Sequence, residues 1–180
     1  FAMDNMTRDD GWRFLIIGRR LERLSFLANA IGNFLRMPSA RGPGSLEWLL
    51  ELTDSIITYR SRYSRLPELL PVIDLLVFDD SNPHGVVFQG SVLARYLDRM
   101  GRELGDHSES SLPDVLSRLR AFSLEPLEHL QFSECRTCPP CEELADLLKE
   151  LDAAAVQLSA RLGMRYFTHV GDVSRQTMAL

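Results

Sequence analysis

Glu22 and Arg23 set a carboxylate beside a guanidinium in the run Gly18-Arg19-Arg20-Leu21-Glu22-Arg23, where the chain's one Glu-Arg pair stands. At about 3.6 residues per turn, Gly11, Gly18, Glu22, Ser25 and Asn29 fall along one side of a helix, with Arg19 one turn before Glu22. Two glycines on that stripe permit a second helix to come close, at a cost of up to about 1 kcal/mol each. A glutamate on a close-packed stripe is partly buried and needs a cation, so Arg19 or an arginine of a second helix is expected to donate to it. Three readings of Glu22 stay open: a buried ion-pair network that fixes helix register, a substrate or partner contact, and general acid–base chemistry.

A second constellation is Asp54, Tyr59, Arg60, Arg62 and Tyr63. Asp54, Thr58 and Arg62 recur at i, i+4 and i+8, a polar stripe that could face Glu22. Two arginines flanked by tyrosines can clamp a carboxylate or phosphate, stacking included. They equally suit an ordinary helix C-terminus, where cations meet the dipole. Nineteen of the chain's cations are arginines and only Lys149 is a lysine, so position rather than abundance must decide.

Cys135, Cys138 and Cys141 follow a C-x2-C-x2-C spacing shortly after His129. Zinc would need a fourth ligand, and an oxidisable pair is a further reading. The expectation is a loop of reduced, exposed thiols, with no metal and no other cofactor. His84, Gln89 and His169 read as lone polar residues. The chain contains no Gly-rich phosphate loop, nucleophile elbow or Cys-His pair at a recognised spacing.

The elements that must position these residues are helical. The apolar spacing predicts a helix from about Thr7 to Arg36, a loop over Pro38 to Gly44, and a second helix from Ser45 to about Arg65. A shorter helix is expected over Glu68 to Val77. The next is opened by Asn82 as N-cap and Pro83 as first residue, and runs to about Gly101. A fifth spans Leu112 to about Phe132 with a kink at Pro126, and an amphipathic sixth spans Glu142 to about His169. The fold class is therefore all-α, a bundle of about six helices.

Composition narrows the class further. Of 180 residues, 45% are hydrophobic and 25% charged, an ordinary globular balance. One domain over 1–180 is expected, with a flexible tail at 170–180. The net charge of −5 gives no basic surface for nucleic acid. No apolar run approaches the roughly 20 residues of a membrane span. Residues 1–6 are too polar for a signal peptide, so a cytoplasmic location is expected. The chain opens on Phe1 rather than Met, which reads as part of a longer protein.

Four motifs occur in order: Gly18-Arg19-Arg20-Leu21-Glu22-Arg23; Asp54-Ser55 with Thr58-Tyr59-Arg60-Ser61-Arg62-Tyr63; Asp79-Asp80-Ser81-Asn82-Pro83 with Phe88-Gln89; and Tyr166-Phe167-Thr168-His169. Together they resemble the alpha-E family, a helical domain named for a Glu-Arg pair, over nearly the whole chain. The family typically carries that element twice, so this chain resembles the second repeat plus the C-terminal helices. The resemblance implies an accessory or partner-binding role in an ATP-grasp-associated system that makes or modifies peptide or amide bonds. The implied partner is an adjacent ATP-grasp or transglutaminase-like protein, or a peptide. The alternative is an enzyme using Glu22 as acid or base beside Arg19, Arg23, Arg60 and Arg62. A missing repeat would also leave apolar surface on the first helix, where Trp12, Phe14, Leu15, Ile16, Ile17, Leu21, Phe26, Leu27 and Ile31 cannot share one stripe. A homodimer through that helix is the expected remedy.

Overall fold

The structure, a computed structural model, describes residues 10–64, 66–104, 110–128 and 138–167. Among them there is no strand, and eight α-helices build the fold: α1 (Asp10–Arg36), α2 (Ser45–Leu52), α3 (Ile56–Tyr63), α4 (Leu69–Ile73), α5 (Val86–Leu104), α6 (Leu112–Arg120), α7 (Glu125–Glu128) and α8 (Pro139–Phe167). A 3-10 turn covers Pro38–Arg41, and a π-helical stretch, Asp74–Phe78, continues directly from α4.

The two long helices α1 and α8 form the spine and run antiparallel. Phe14 meets Tyr166 at 4.7 Å between ring centroids, while Arg36, at the other end of α1, pairs with Asp146. One turn before Arg36, Gly32 lets the helices close up: a Cβ there would stand 3.5 Å from the Ala145 carbonyl and from Leu148 Cβ. The repeat of Leu144, Leu148, Leu151, Ala155, Leu158 and Leu162 buries one stripe of α8, as its periodicity requires. Helix α5 covers α1 from another side, Trp12 touching Tyr96 edge-on and Arg20 reaching Gln89. Helix α6 closes over α5 and α8, with Arg118 bound to Glu150.

Between them, α5 and α8 meet the need that the homodimer expectation rested on. Ile16, Ile17, Leu21, Leu27 and Ile31 are buried within the chain, Trp12 and Phe14 are half-buried, and only Leu15 and Phe26 of that set are exposed.

Several boundaries depart from the sequence reading. The helix expected over Ser45 to Arg65 is broken at Thr53-Asp54-Ser55, where Asp54 takes the left-handed φ of 56°. Thr53 Oγ1 turns back to the Leu49 carbonyl, and Ser55 N bonds Leu50 O, which ends α2 and restarts the chain as α3. The proposed Asp54–Thr58–Arg62 stripe therefore does not exist as one helix face. Asn82 does not cap a helix at Pro83; α5 starts at Val86. The expected helix through Phe132 stops at Arg120 and resumes as the short α7, with Pro126 tolerated in its first turn. The 170–180 tail and His129, Cys135 and His169 lie outside the described residues.

Candidate functional site

The neighbours Glu22 and Arg23 project to different surroundings, because successive helical residues are about 100° apart. Arg23 turns toward the α2–α3 break. One of its terminal nitrogens donates to the Thr53 carbonyl at 3.2 Å and to Asp54 Oδ2 at 3.3 Å, and lies 3.2 Å from His84 Nδ1. One turn earlier, Arg20 donates to Gln89 Oε1 at 2.9 Å, and the Gln89 amide in turn donates to the Pro83 carbonyl. The motif arginines thus tie two turns, 53–55 and 82–85, onto α1.

The second turn is held from behind by Asn82, which is fully buried. Its Nδ2 donates to the Leu75 carbonyl at 3.0 Å and to Ser55 Oγ at 3.4 Å, and its Oδ1 accepts from His84 N at 3.1 Å. The Leu75 carbonyl is available because the π turn sends the Asp79 N–H to Asp74 O instead. Gly85 fits beneath: a Cβ would lie 3.2 Å from both the Asn82 and Asp79 carbonyls. The lone polar residues His84 and Gln89 are therefore members of this network.

Arg62 pairs with Asp79 and donates to Ser81 Oγ at 3.0 Å; Ser81 N and Oγ each donate to Asp79 Oδ1 at 2.7 Å. Burial alone would raise the Asp79 pKa, but the Ser81 and Arg62 hydrogen bonds outweigh it and hold the carboxyl below its usual range. Asp74 is shifted the other way, first by burial and then by the nearby Asp79 charge. Burial, with Asp74 next, also raises the Tyr63 phenol.

The tyrosine–arginine clamp expected on α3 is not assembled. Tyr59 is fully buried, its hydroxyl donating to Leu66 O at 3.3 Å and accepting from Glu68 N at 3.2 Å, with its ring 4.8 Å from that of Tyr63. Arg60 and Arg62, two residues apart, face different ways. Arg60 reaches Glu47 at 3.6 Å, and Arg62 reaches Asp79.

Glu22 is exposed, which corrects the expected burial. Among the described residues no hydrogen bond or ion pair reaches its carboxylate; Arg19, one turn back, is engaged elsewhere. The glycine argument misled here, since a Cβ on Gly18 would meet nothing within 4 Å, and the close helix approach is at Gly32. Glu22 instead lines an open groove of about 370 Å³ between α1 and α8, with Gly18, Leu21, Ser25, Ala155, Val156, Ser159 and Ala160. It continues along α1 past Phe26, Asn29 and Ala30. Asp152 of α8 accepts from Ser25 Oγ and Asn29 Nδ2, so the rest of the polar stripe is satisfied.

The cysteines also differ from expectation. Cys138 and Cys141 are joined by a disulfide and buried, not reduced and exposed. Among the described residues no group of three His, Cys, Asp or Glu side chains is placed to hold a metal ion, and no helix is long and apolar enough to cross a membrane.

The family whose model matches residues 1–167 is Alpha-E, described as a predicted alpha-helical domain with a conserved ER motif. The chain belongs to the Alpha-E family. Glu22-Arg23 is the one Glu-Arg pair in the chain. Relatives of this chain include uncharacterized proteins of Mycobacterium tuberculosis and Mycobacterium bovis, each 31% identical over 157 residues. That match takes in 85% of this chain and 17% of theirs, so the chain spans about a sixth of the length of those relatives. No solved structure matches the chain.

Proposed function

We propose that this Alpha-E domain is a non-catalytic helical module that binds a partner, and that the partner belongs to an ATP-grasp-associated system for making or modifying peptide or amide bonds. The system is what the family resemblance implies. The observation that favours binding over catalysis is the division of labour within the motif. Arg20, Arg23 and Arg62 are engaged with the chain's own backbone and side chains, while Glu22 stands exposed beside an open groove. An acid–base glutamate needs an enclosed site with donors aimed at a substrate. A recognition glutamate needs only an accessible surface, and the small residues lining this groove leave room for a partner helix to lie against α1 and α8. Arg19, Asp54, Arg60 and Arg62 are also exposed and remain candidate contacts outside the groove, whereas Tyr59 is buried and Arg23 and Tyr63 are half-buried.

The test is co-expression with the adjacent ATP-grasp or transglutaminase-like protein, followed by co-purification and titration. Wild type is expected to form a stoichiometric complex, and Glu22→Arg to weaken it at least tenfold with unchanged thermal stability. Failure of both candidates to bind would sink the reading, as would turnover of a peptide or amide substrate by the isolated domain that Glu22→Gln abolishes. Sedimentation in the same experiment separates a hetero-complex from a second copy of this chain seated in the groove.

A further inference from the structure

Helix α8 begins in an unusual way. Cys138 is the residue before its first turn, and Pro139 and Pro140 occupy the first two helical positions. Prolines carry no N–H, so Cys141 supplies the first backbone donor of the helix. That N–H donates to Cys138 Sγ at 3.3 Å, and the Cys138 carbonyl accepts from Glu142 N at 2.9 Å. Cys138 sulfur therefore fills the place an N-cap serine oxygen usually takes, accepting from the third residue of the helix. The same sulfur is bonded to Cys141.

We propose that Cys138 and Cys141 form a reversible two-electron redox site that exchanges with a dithiol, either a small molecule or a protein cysteine pair. The argument is that both oxidation states suit one backbone. Reduction breaks the S–S bond but leaves Cys138 Sγ as acceptor for the Cys141 N–H, so the helix keeps its cap. The fixed φ of Pro139 and Pro140 holds the two sulfurs near one another after reduction, which favours re-closure of the ring. A thiolate on Cys138 would also sit at the positive end of a 29-residue helix.

The exchange balances atom for atom. A thiolate of the dithiol attacks Cys138 Sγ, forming a mixed disulfide and breaking the Cys138–Cys141 bond. The electron pair of that bond passes to Cys141 Sγ, which takes a proton. The second thiol of the reductant then loses its proton and attacks its partner sulfur, releasing Cys138 as thiolate. The dithiol becomes a disulfide, and the cysteine pair has gained two electrons and one proton; the Cys138 thiolate takes its proton from solvent. Both sulfurs are buried, so attack requires the start of α8 to open locally.

The test is alkylation of the native protein in buffers of graded reduced-to-oxidised dithiothreitol, read peptide by peptide by mass spectrometry. A parallel sample fully reduced and alkylated in denaturant gives the reference for complete labelling. Cys138 and Cys141 should be protected in oxidising buffer and become labelled together at one ratio, with far-ultraviolet circular dichroism unchanged and protection restored on reoxidation. Cys138→Ser, which keeps a capping oxygen, should stay folded and leave Cys141 alkylatable at all ratios. Labelling of both cysteines in oxidising buffer would overturn the proposal, and so would a Cys135–Cys138 pairing. Reduction that occurs only with global unfolding would overturn it too, since the bond would then be a fixed staple.

Discussion

The two sides of α1 present opposite solutions to the same problem of placing charge on a helix. On the side facing the 53–55 and 82–89 segments the arginines have partners within the chain: Arg20 has Gln89 of α5, whose amide holds the Pro83 carbonyl, and Arg23 has Thr53 and Asp54 of the α2–α3 break. On the side facing the α8 groove, Ser25 and Asn29 are satisfied by Asp152, and Glu22 is left to solvent. A dipeptide motif therefore need not act as a dipeptide. Its arginine organises the fold, and its glutamate is left exposed.

The largest expected effect lies deepest in the turn network. Asn82→Ala would leave the Leu75 carbonyl and the His84 N–H without their buried partner, at about 3 kcal/mol. Chemical denaturation measures it, and a loss below about 1 kcal/mol would show that water replaces the amide. Next comes Arg23→Ala, expected to lower stability by about 2 kcal/mol through loss of the Thr53 and Asp54 contacts; Arg23→Lys should recover only part, because an ammonium cannot reproduce the planar fork. If Arg23→Ala instead left stability unchanged and abolished partner binding, the contrast between the two sides would collapse.

A smaller effect concerns pH. The folded Asp79 pKa is depressed, so its contribution is present above the ordinary carboxylate pKa and is lost as pH falls through the folded value. Asp74, with a raised folded pKa, acts in the opposite sense: its ionisation opposes folding, and acid removes that penalty. Arg62→Ala should flatten the acid-side loss by about 0.5 kcal/mol, given that Arg62 is partly exposed. Asp74→Asn should leave stability at neutral pH unchanged or raised; thermal melts across the carboxylate range check both signs. The smallest effect is Glu22→Gln, expected to change folding stability by less than about 0.5 kcal/mol. A loss of 1 kcal/mol or more would mean that Glu22 is integrated into the fold after all.

Much of the framework was legible in the sequence, because apolar period alone determines which stripe of a long helix is buried. Of the apolar stripe of α8, Leu144, Leu147, Leu148, Leu151, Ala155, Leu158 and Leu162 are buried, and Tyr166 at its end is half-buried. The break at Asp54 was not legible, since the apolar positions Leu49, Leu52, Ile56 and Tyr59 keep helical spacing straight across it. Only the backbone shows that Asp54 adopts a left-handed conformation. For the site, the Arg23 and Asp54 residue types were readable, but their pairing depends on that break. The surroundings of Glu22 were misread because Gly18 carries no information about which neighbour, if any, approaches it. The Cys138–Cys141 bond depended on where α8 begins, three residues before the start read from the apolar stripe.

The π turn at Asp74–Phe78 supplies this network with a spare acceptor. A π turn accommodates one more residue than an α turn over nearly the same rotation and rise, so the extra residue is absorbed as a bulge and one carbonyl, that of Leu75, is left without its helical donor. Deleting one residue within 74–78 would restore ordinary winding and return a backbone N–H to the carbonyl that the Asn82 amide now holds. Asn82 would then lose its backbone anchor although its own residue type is unchanged. Conservative substitutions within this stretch keep the bulge; a change of length does not, which makes residue count at 74–78 as strict a requirement as residue type at Asn82.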